Sequence, residues 1–205
     1  MIDFKKDPLY KATPTPAVVD VPAMTFVTVD GTGAPDAGPE HASQFQDAMQ
    51  IIYGVAYTVK FWDKKYPAPK GYDKFTMPPL EALWWMKSGQ DFDMKKPNDW
   101  CWTAMHRLPE FVTPAYFKKL IPVLIASKKS DIYQKAKLTK FAEGKAVQIL
   151  HIGPYDQEGP NIAKLHAFAT ENGLKLRGKH HELYFGDPRR TDPKKLKTIL
   201  RQPVA

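Results

Sequence analysis

The chain has 205 residues, of which 43% are hydrophobic and 12% aromatic, enough to bury a core in one domain or in two fused halves. No apolar run approaches the roughly 20 residues needed to span a bilayer, and the first residues lack the apolar stretch of a signal peptide. Cys101 is the single cysteine, so an intrachain disulfide is impossible. Together these features predict a cytoplasmic protein that does not associate with membranes.

The formal net charge of +8 raises the question of nucleic-acid binding. Lysine outnumbers arginine, however, and the lysines are scattered along the chain. Base and phosphate recognition usually relies on arginine forks gathered in a patch. The sequence also has no zinc-finger spacing, helix-turn-helix candidate or RNA-recognition signature. We therefore expect a solvated lysine surface and no specific nucleic-acid partner.

The first half of the chain predicts strand, helix, strand, strand. Residues 1–19 carry mixed charge and read as a leader or an edge strand, and residues 22–33 alternate as a strand does before reaching glycine. A helix is predicted from about Glu40 to Asp63, because its apolar residues recur at steps of three and four. Two aromatic strand candidates follow, Leu80–Met86 and Asp99–Leu108, joined by a polar, turn-like segment.

A connecting helix is predicted over about 113–130. Thr113 is a suitable N-cap and Pro114 a suitable first-turn residue. Pro122 lies inside this helix and should kink or shorten it. The second half then repeats the order of the first: a strand over 145–153, a helix from Asn161 to Asn172, and strands over 180–186 and 196–204.

The loops that precede the two long helices also match. In both halves a strand reaches glycine, a short acidic loop follows, and a Gly-Pro pair opens the helix. Gly31 corresponds to Gly153, and Gly38-Pro39 to Gly159-Pro160. This internal repeat predicts an α+β fold made of two fused, pseudo-symmetric βαββ modules with antiparallel sheets. Repeat one covers about 18–108 and repeat two about 144–203, within a single domain of residues 1–205.

Glu182 is the first candidate functional residue. Strand alternation puts His180, Glu182 and Tyr184 on one face and Leu183 with Phe185 on the other. If Leu183 and Phe185 pack on the helices, Glu182 faces away from them. It is then either an exposed strand carboxylate or, where two modules meet, a group that attracts a cation or acts as a base.

Glu81 occupies the matching place in the first half, also beside aromatic residues. Paired carboxylates among aromatic rings suit ligand binding or acid–base chemistry. The alternative is a surface glutamate next to core tryptophans.

Four of the five tryptophans fall within residues 84–102. Indole rings either fill a core or stack on a planar ligand, and a cationic ligand gains attraction to the ring face as well. We expect Trp84 to belong to the core and Trp85 or Trp102 to reach a ligand, with Trp100 on the same face as Trp102.

Tyr155 follows Gly153-Pro154 at a turn and is either a wall of the ligand site or a surface loop residue. His180 and His181 are adjacent in a strand and point to opposite faces, so they cannot chelate one ion, and no metal is expected. The glycine-rich segment before Gly38 lacks the Lys-Ser/Thr step of a phosphate-binding loop. We expect no cofactor.

Four segments taken together resemble the GyrI-like small-molecule-binding proteins: PPLEALWW, DWCWTAMHRLPEFVTP, HIGPYDQEGPNIAKLHAFATENG and KHHELYFGDPRRTDPKKLKTILRQPV. The likeness runs from about Val18 to Pro203. It is strongest to the stand-alone branch of the family, which lacks a DNA-binding domain and includes cyclopropanoid cyclopropyl hydrolases.

The resemblance implies a ligand cleft at a pseudo-twofold axis, with Glu182 as its key acidic residue. It also implies a choice of function. One is a hydrolase that opens the cyclopropane ring of DNA-alkylating toxins, with Glu182 and Tyr155 as catalytic residues. The other is a protein that sequesters flat apolar or cationic drugs, or that contacts a protein such as gyrase. In either case Glu81, Trp85, Trp100, Trp102, Tyr184 and His180 would bind the ligand.

Overall fold

The computed structural model describes residues 1–89 and 95–205. In this described part, six strands and three α-helices follow one another along the chain. Their bounds are β1 Ala17–Thr32, α1 Pro39–Lys60, β2 Leu80–Met86, β3 Trp100–Leu108, α2 Pro114–Lys128, β4 Lys137–Ile152, α3 Gly159–Glu171, β5 His180–Phe185 and β6 Lys197–Pro203.

The order of elements confirms the predicted fold class. The sequence β1-α1-β2-β3 precedes α2, and β4-α3-β5-β6 repeats it. The strand pairs described below are all antiparallel, so the fold is α+β with a duplicated βαββ order. The ligand cleft at a pseudo-twofold axis stays a prediction.

Most predicted elements agree with the structure within a few residues, but β1 and β4 begin earlier than expected. The turn predicted between β2 and β3 includes residues 90–94, which lie outside the described residues. Residues 4–10 were expected to be a leader or an edge strand. They form two short 3-10 turns instead, and Tyr10 at the end of the second is buried.

Pro122 does not end α2, which continues to Lys128. A proline removes one helical hydrogen bond and crowds the preceding turn. Packing outweighs that loss here, because Leu120 and Leu124 on either side of Pro122 are completely buried. The expected shortening of the helix is therefore wrong.

The chain forms two compact units that do not coincide with the two sequence repeats. Unit one contains residues 1–5, 24–78 and 85–141, and unit two contains residues 6–23, 79–84 and 142–205. The strands β1, β2 and β4 contribute residues to both. None of the helices in the described ranges is both long and apolar enough to cross a membrane.

Unit one is built around the antiparallel pair β1–β3 and the helices α1 and α2. The register places Thr25 opposite Leu108 and Thr32 opposite Cys101. α1 packs on β3 and on α2. His106 on β3 is completely buried in this unit. The completely or almost completely buried apolar residues include Phe26, Ile51, Ile52, Val55, Met105, Leu108, Leu120 and Leu124.

Unit two pairs β2 with β5, β5 with β6, and β6 with β4, always antiparallel. One face of β4 and β6 packs against α3. The core at this junction contains Val147, Ile149, Leu165, Ala169, Leu200 and Val204. Because β5 pairs with β6, the register shows which face of β5 is on the same side of the strands as α3. The candidate site lies on that face.

Gly31 in unit one allows a tryptophan to pack directly on the backbone. A Cβ at Gly31 would lie 2.0 Å from a ring carbon of Trp102. The Trp102 ring is completely buried, and its Nε1 donates a 3.0 Å hydrogen bond to the carbonyl of Gly33. The ring therefore cannot move aside without losing this bond or disturbing the core.

We expect Gly31→Ala to lower the free energy of unfolding by about 1–3 kcal/mol, the usual cost of overpacking a core. Gly159→Ala is the matched control, because among the described residues no atom lies within 4 Å of its added Cβ. Denaturant unfolding of both variants tests this. Equal midpoints for Gly31→Ala and the wild type would contradict the packing argument.

Candidate functional site

The alternation predicted for β5 is present in unit two. Glu182 lies opposite Ala82 on β2 and Leu200 on β6. Leu200 belongs to the core that packs on α3, and directly paired residues share a face. Glu182 therefore lies on the α3 face. The sequence analysis considered a strand whose Leu183 face packs on the helices. For α3 the opposite is true, because the Glu182 face is the one that packs on it.

Three side chains surround the carboxylate of Glu182 with defined geometry. The hydroxyl of Tyr184 donates a 2.6 Å hydrogen bond to Oε2 of Glu182. Nε1 of Trp84 donates a 2.8 Å hydrogen bond to the same hydroxyl. Nε2 of His180 lies 3.3 Å from Oε1 of Glu182. Trp84 thus orients Tyr184, which in turn orients the carboxylate.

Tyr184 is a fixed donor in this chain of hydrogen bonds. Burial, followed by the nearby charge of Glu182, raises the pKa of Tyr184 well above its ordinary value. The phenol therefore stays protonated across the physiological range. Glu182 itself keeps a small part of its side chain, 14%, in contact with solvent.

Tyr155 joins this group from the turn before α3. Its ring meets that of Tyr184 edge to face, with 5.6 Å between centroids and 76° between planes. The turn is held by His151, whose Nε2 lies 3.0 Å from the carbonyl of Pro154 and whose Nδ1 lies 2.9 Å from Nδ2 of Asn161. Tyr155 is exposed, so it borders the site on the solvent side.

Glu158 is a second carboxyl group near Glu182, which the sequence analysis did not single out. It immediately precedes α3 and is only 5% exposed. Burial, followed by repulsion from Glu182, raises the pKa of Glu158 to about 9. The N-terminus of α3 favours the ionised form by about 0.3–1 kcal/mol. The opposing effect is larger, since each pKa unit is worth about 1.4 kcal/mol.

We call Trp84, Tyr155, Glu158, His180, Glu182 and Tyr184 the Glu182 cluster. Of the residues predicted to form the site, the structure brings together Glu182, Tyr155, Tyr184 and His180. Trp84 is buried, as expected of a core residue, and its Nε1 also donates to Tyr184. Strand alternation could have indicated this role. Trp84 lies two residues after Ala82 and so shares the face of β2 on which Ala82 pairs with Glu182.

Glu81 does not join the Glu182 cluster, contrary to the sequence-based expectation. It lies opposite Leu183, one residue away from Glu182, and therefore on the other face of the strands. Its side chain is completely buried. Oε1 of Glu81 accepts a 2.9 Å hydrogen bond from the hydroxyl of Tyr10, and Oε2 lies 3.0 Å from Nε2 of His181.

His181 is the centre of a buried ionic network on that face. Its Nδ1 lies 3.0 Å from Glu143, and Nη1 of Arg201 lies 3.2 Å from the same carboxylate. Arg201 also donates to the side-chain carbonyl of Gln148. We call these residues, with Glu81, the His181 network. It pairs two carboxylates with two basic groups, so its charges balance.

The charges of the His181 network stabilise one another. Interaction with Glu143, and then with Glu81, raises the pKa of His181 to about 9 against the opposing effect of burial. The same pairing, with help from Arg201, lowers the pKa of Glu143 despite its burial. His181 is therefore protonated at neutral pH, and this is what allows the two glutamates to remain buried.

The other predicted tryptophans lie in unit one. Trp102 is a core residue, because its ring is completely buried between Gly31 and Phe45, whose ring centroid is 5.3 Å away. The expectation that Trp102 reaches a ligand is not supported by this position. Trp85 and Trp100 are half-buried, and their role in ligand binding stays a prediction.

Unit one also carries exposed aromatic rings that the sequence analysis did not identify. Tyr53 and Tyr57 on α1 and Phe61 directly after its end follow one another at steps of four. The Tyr57 and Phe61 rings are nearly parallel, with centroids 6.2 Å apart. Lys64 lies 4.6 Å from the centre of the Phe61 ring. Such a surface suits a flat neutral ring better than a cation.

Comparison with known proteins agrees with this architecture. The GyrI-like small molecule binding domain matches residues 14–205. The chain belongs to this family. No curated protein sequence matches this GyrI-like protein at a significant level.

Solved structures from Listeria innocua are similar over the whole of this GyrI-like protein. An uncharacterised conserved protein is 38% identical, with a TM-score of 0.91 and 100% of both chains covered. A protein described as a hydrolase is 36% identical, with a TM-score of 0.88 and 100% of both chains covered. The EcmrR C-terminal domain has 13% identity and a TM-score of 0.53, covers 93% of this chain and 97% of its own, and shares the fold alone.

The His181 network predicts how the stability of this GyrI-like protein depends on pH. A histidine whose folded-state pKa is raised from 6.5 to about 9 stabilises the fold fully below pH 6.5 and loses this effect as pH rises through 9. We expect the contribution of His181 alone to lower the free energy of unfolding over this range by on the order of 3 kcal/mol. Denaturant unfolding at several pH values measures it.

Glu158 contributes a decline of the same sign, because an acid with a raised folded-state pKa loses stability as pH rises from 4.5 towards 9. His181→Gln separates the two, since its curve should keep only the part due to Glu158 and should start from a lower stability. His41→Gln in unit one is the control and should keep the full decline. A His181→Gln curve parallel to that of the wild type would refute the assignment.

Proposed function

We propose that this chain is a hydrolase that adds water to the strained cyclopropane ring of flat, conjugated small molecules. The observation that carries the proposal is the Glu182 carboxylate, oriented by Tyr184 at 2.6 Å and bordered by aromatic rings. Two full-length structures at 36% identity that are described as hydrolases support the reaction class. The cyclopropanoid substrate comes from the resemblance of the four sequence segments to that branch of the family.

In this mechanism Glu182 is the base that takes a proton from the attacking water. Its Oε2 is engaged by Tyr184, so Oε1, beside His180, is the oxygen that faces the water. The hydrogen bonds from Trp84 to Tyr184 and from Tyr184 to Glu182 hold the carboxylate in one orientation. A positioned base avoids the entropic cost of bringing base, water and substrate together.

The aromatic rings supply the binding energy. Tyr155 is exposed at the border of the Glu182 cluster and can stack or meet a planar substrate edge to face. We propose a catalytic part for Tyr155 as well, because its edge-to-face contact with Tyr184 keeps it near the carboxylate. We further place the activity in the cytoplasm, where the lone thiol of Cys101 would stay reduced.

Glu182→Gln tests the hydrolase proposal, because it keeps the shape of the side chain and removes the base. We expect turnover of a cyclopropane-bearing alkylator to fall by roughly 10²–10⁴-fold, with little change in thermal unfolding. The ring-opened water adduct, quantified by mass spectrometry, is the readout. Glu171→Gln at the exposed end of α3 is the matched control and should keep wild-type turnover. Absence of the adduct with wild-type protein would rule the hydrolase out.

A binding protein without catalysis is the second candidate. Among the residues that the structure describes, His180 is the one basic side chain within 4 Å of Glu182. A carboxylate without a lysine or arginine partner is suited to a cationic ligand that brings its own charge. Sequestration of toxic compounds, or contact with a protein such as gyrase, would then be the role.

In the binding role, Glu182→Gln should lower the affinity for flat cationic dyes by about tenfold or more. This is the effect expected when one charge-assisted contact is lost. Neutral dyes of the same size should keep their affinity. Fluorescence titration measures both. Equal loss for cationic and neutral dyes would show that the variant disturbs the site as a whole and would remove the support for a cation-binding role.

A further inference from the structure

Glu158 has a feature that the proposed function does not use. Its Oε1 is buried and, within residues 1–89 and 95–205, has no hydrogen-bond partner. The side chain does not cap α3, although it immediately precedes the helix. A buried polar atom without a partner costs free energy unless something else satisfies it. A ligand with a hydrogen-bonding group is one way to satisfy it.

Glu158 also shares its surroundings with Glu182. The two carboxyl groups interact electrostatically, and Glu158 further acts on Tyr184. The hydroxyl of Thr198 on β6 also acts on Glu158 and lowers its pKa, but burial and repulsion from Glu182 outweigh this effect. Two negative charges cannot both be accommodated cheaply in such a place, so one proton stays between the two carboxyl groups.

Burial and the repulsion from Glu182 decide which carboxyl group holds that proton. Glu182 already accepts a hydrogen bond from Tyr184 and lies beside His180. Glu158 has no such donor at Oε1 and is the more buried of the two. The proton therefore resides on Glu158, which makes the cluster a proton donor and a proton acceptor on one face of unit two.

We propose that Glu158 is the proton donor of the Glu182 cluster and selects neutral ligands that carry a hydrogen-bond acceptor, such as a conjugated carbonyl. The proposal deepens the hydrolase function and, as a catalytic step, rests on it. It assigns Glu158 a direct contact with the substrate. A ligand acceptor at this place would satisfy the unpaired carboxyl group.

The catalytic step balances without a further reactant. The oxygen of water bonds to the cyclopropane carbon, and the carbon–carbon bond of the ring breaks. Its electron pair moves through the conjugated system to the carbonyl oxygen, which takes the proton of Glu158. Glu182 takes a proton from the water, and solvent returns a proton from Glu182 to Glu158. The net reaction adds the hydroxyl of water to the ring carbon and its proton to the carbonyl oxygen, which gives the ring-opened enol or phenol.

Glu158→Gln tests this assignment, because glutamine can still donate a hydrogen bond but cannot deliver a proton. We expect kcat for a cyclopropane-bearing conjugated ketone to fall by roughly 10²–10⁴-fold at neutral pH, with KM little changed. In the wild type, kcat should also decline as pH rises through about 9, where Glu158 loses its proton. That decline should be absent from the residual activity of the variant.

Glu171→Gln on the same helix is the control and should keep both the rate and the pH profile of the wild type. A Glu158→Gln variant with wild-type kcat, or with an unchanged alkaline decline, would overturn the proposal. Thermal unfolding of each variant shows whether it is folded. If Glu158→Gln does not fold, infrared titration of the wild type still decides, because a protonated carboxyl band must be present at neutral pH and vanish near pH 9.

Binding measurements separate this proposal from the hydrolase function. If the wild type opens no cyclopropane, the hydrolase proposal fails. The role of Glu158 is then tested by the pH dependence of ligand affinity alone. A neutral flat ketone should then bind more weakly to the wild type above about pH 9, and a flat cationic dye of fixed charge more tightly. Glu158→Gln should remove both changes. Affinities that do not vary with pH in the wild type would reject the proton-donor role.

Discussion

The placement of His181 between Glu81 and Glu143 is the interaction on which the rest of unit two depends. Both carboxylates lie 3.0 Å from the imidazole, and all three side chains are buried. A one-residue slip of β5 would expose Leu183 and leave two buried glutamates without their partner, which is strongly unfavourable. The network therefore fixes the register of β5 and, with it, the face on which Glu182 lies.

The two faces of these strands differ in how their charges are balanced. On one face, two glutamates are matched by His181 and Arg201, so the network is complete within the protein. On the other, Glu158 and Glu182 lie near each other with only His180 close by among the basic side chains of the described residues. The first face stabilises the fold. The second retains an unsatisfied carboxyl group at Glu158, and this is the face on which the proposed function is placed.

The family relationship places this difference in context. GyrI-like domains bind small molecules, and low-identity structures such as the EcmrR C-terminal domain share the fold with this chain. A fold does not determine an activity, since the chemistry depends on a few side chains placed on it. Here those side chains are an oriented carboxylate, a second carboxyl group that keeps its proton, and the phenol between the indole of Trp84 and Glu182. This set contains both an acceptor and a donor of protons, which simple binding of an apolar ligand does not require.

The sequence by itself determined the order of elements, the duplicated βαββ pattern and the faces of β5, because periodicity and turn residues are local properties. It did not determine which face is covered by α3, and so Glu81 was grouped with Glu182 although they lie on opposite faces. It also could not reveal that Trp84 donates to Tyr184, 100 residues away, or that Trp102 fills a core above Gly31. Glu158 was not predicted as a site residue, because a glutamate that precedes a helix is usually exposed to solvent. Only tertiary packing buries it beside Glu182, and burial is what turns an ordinary carboxylate into an acid that keeps its proton at neutral pH.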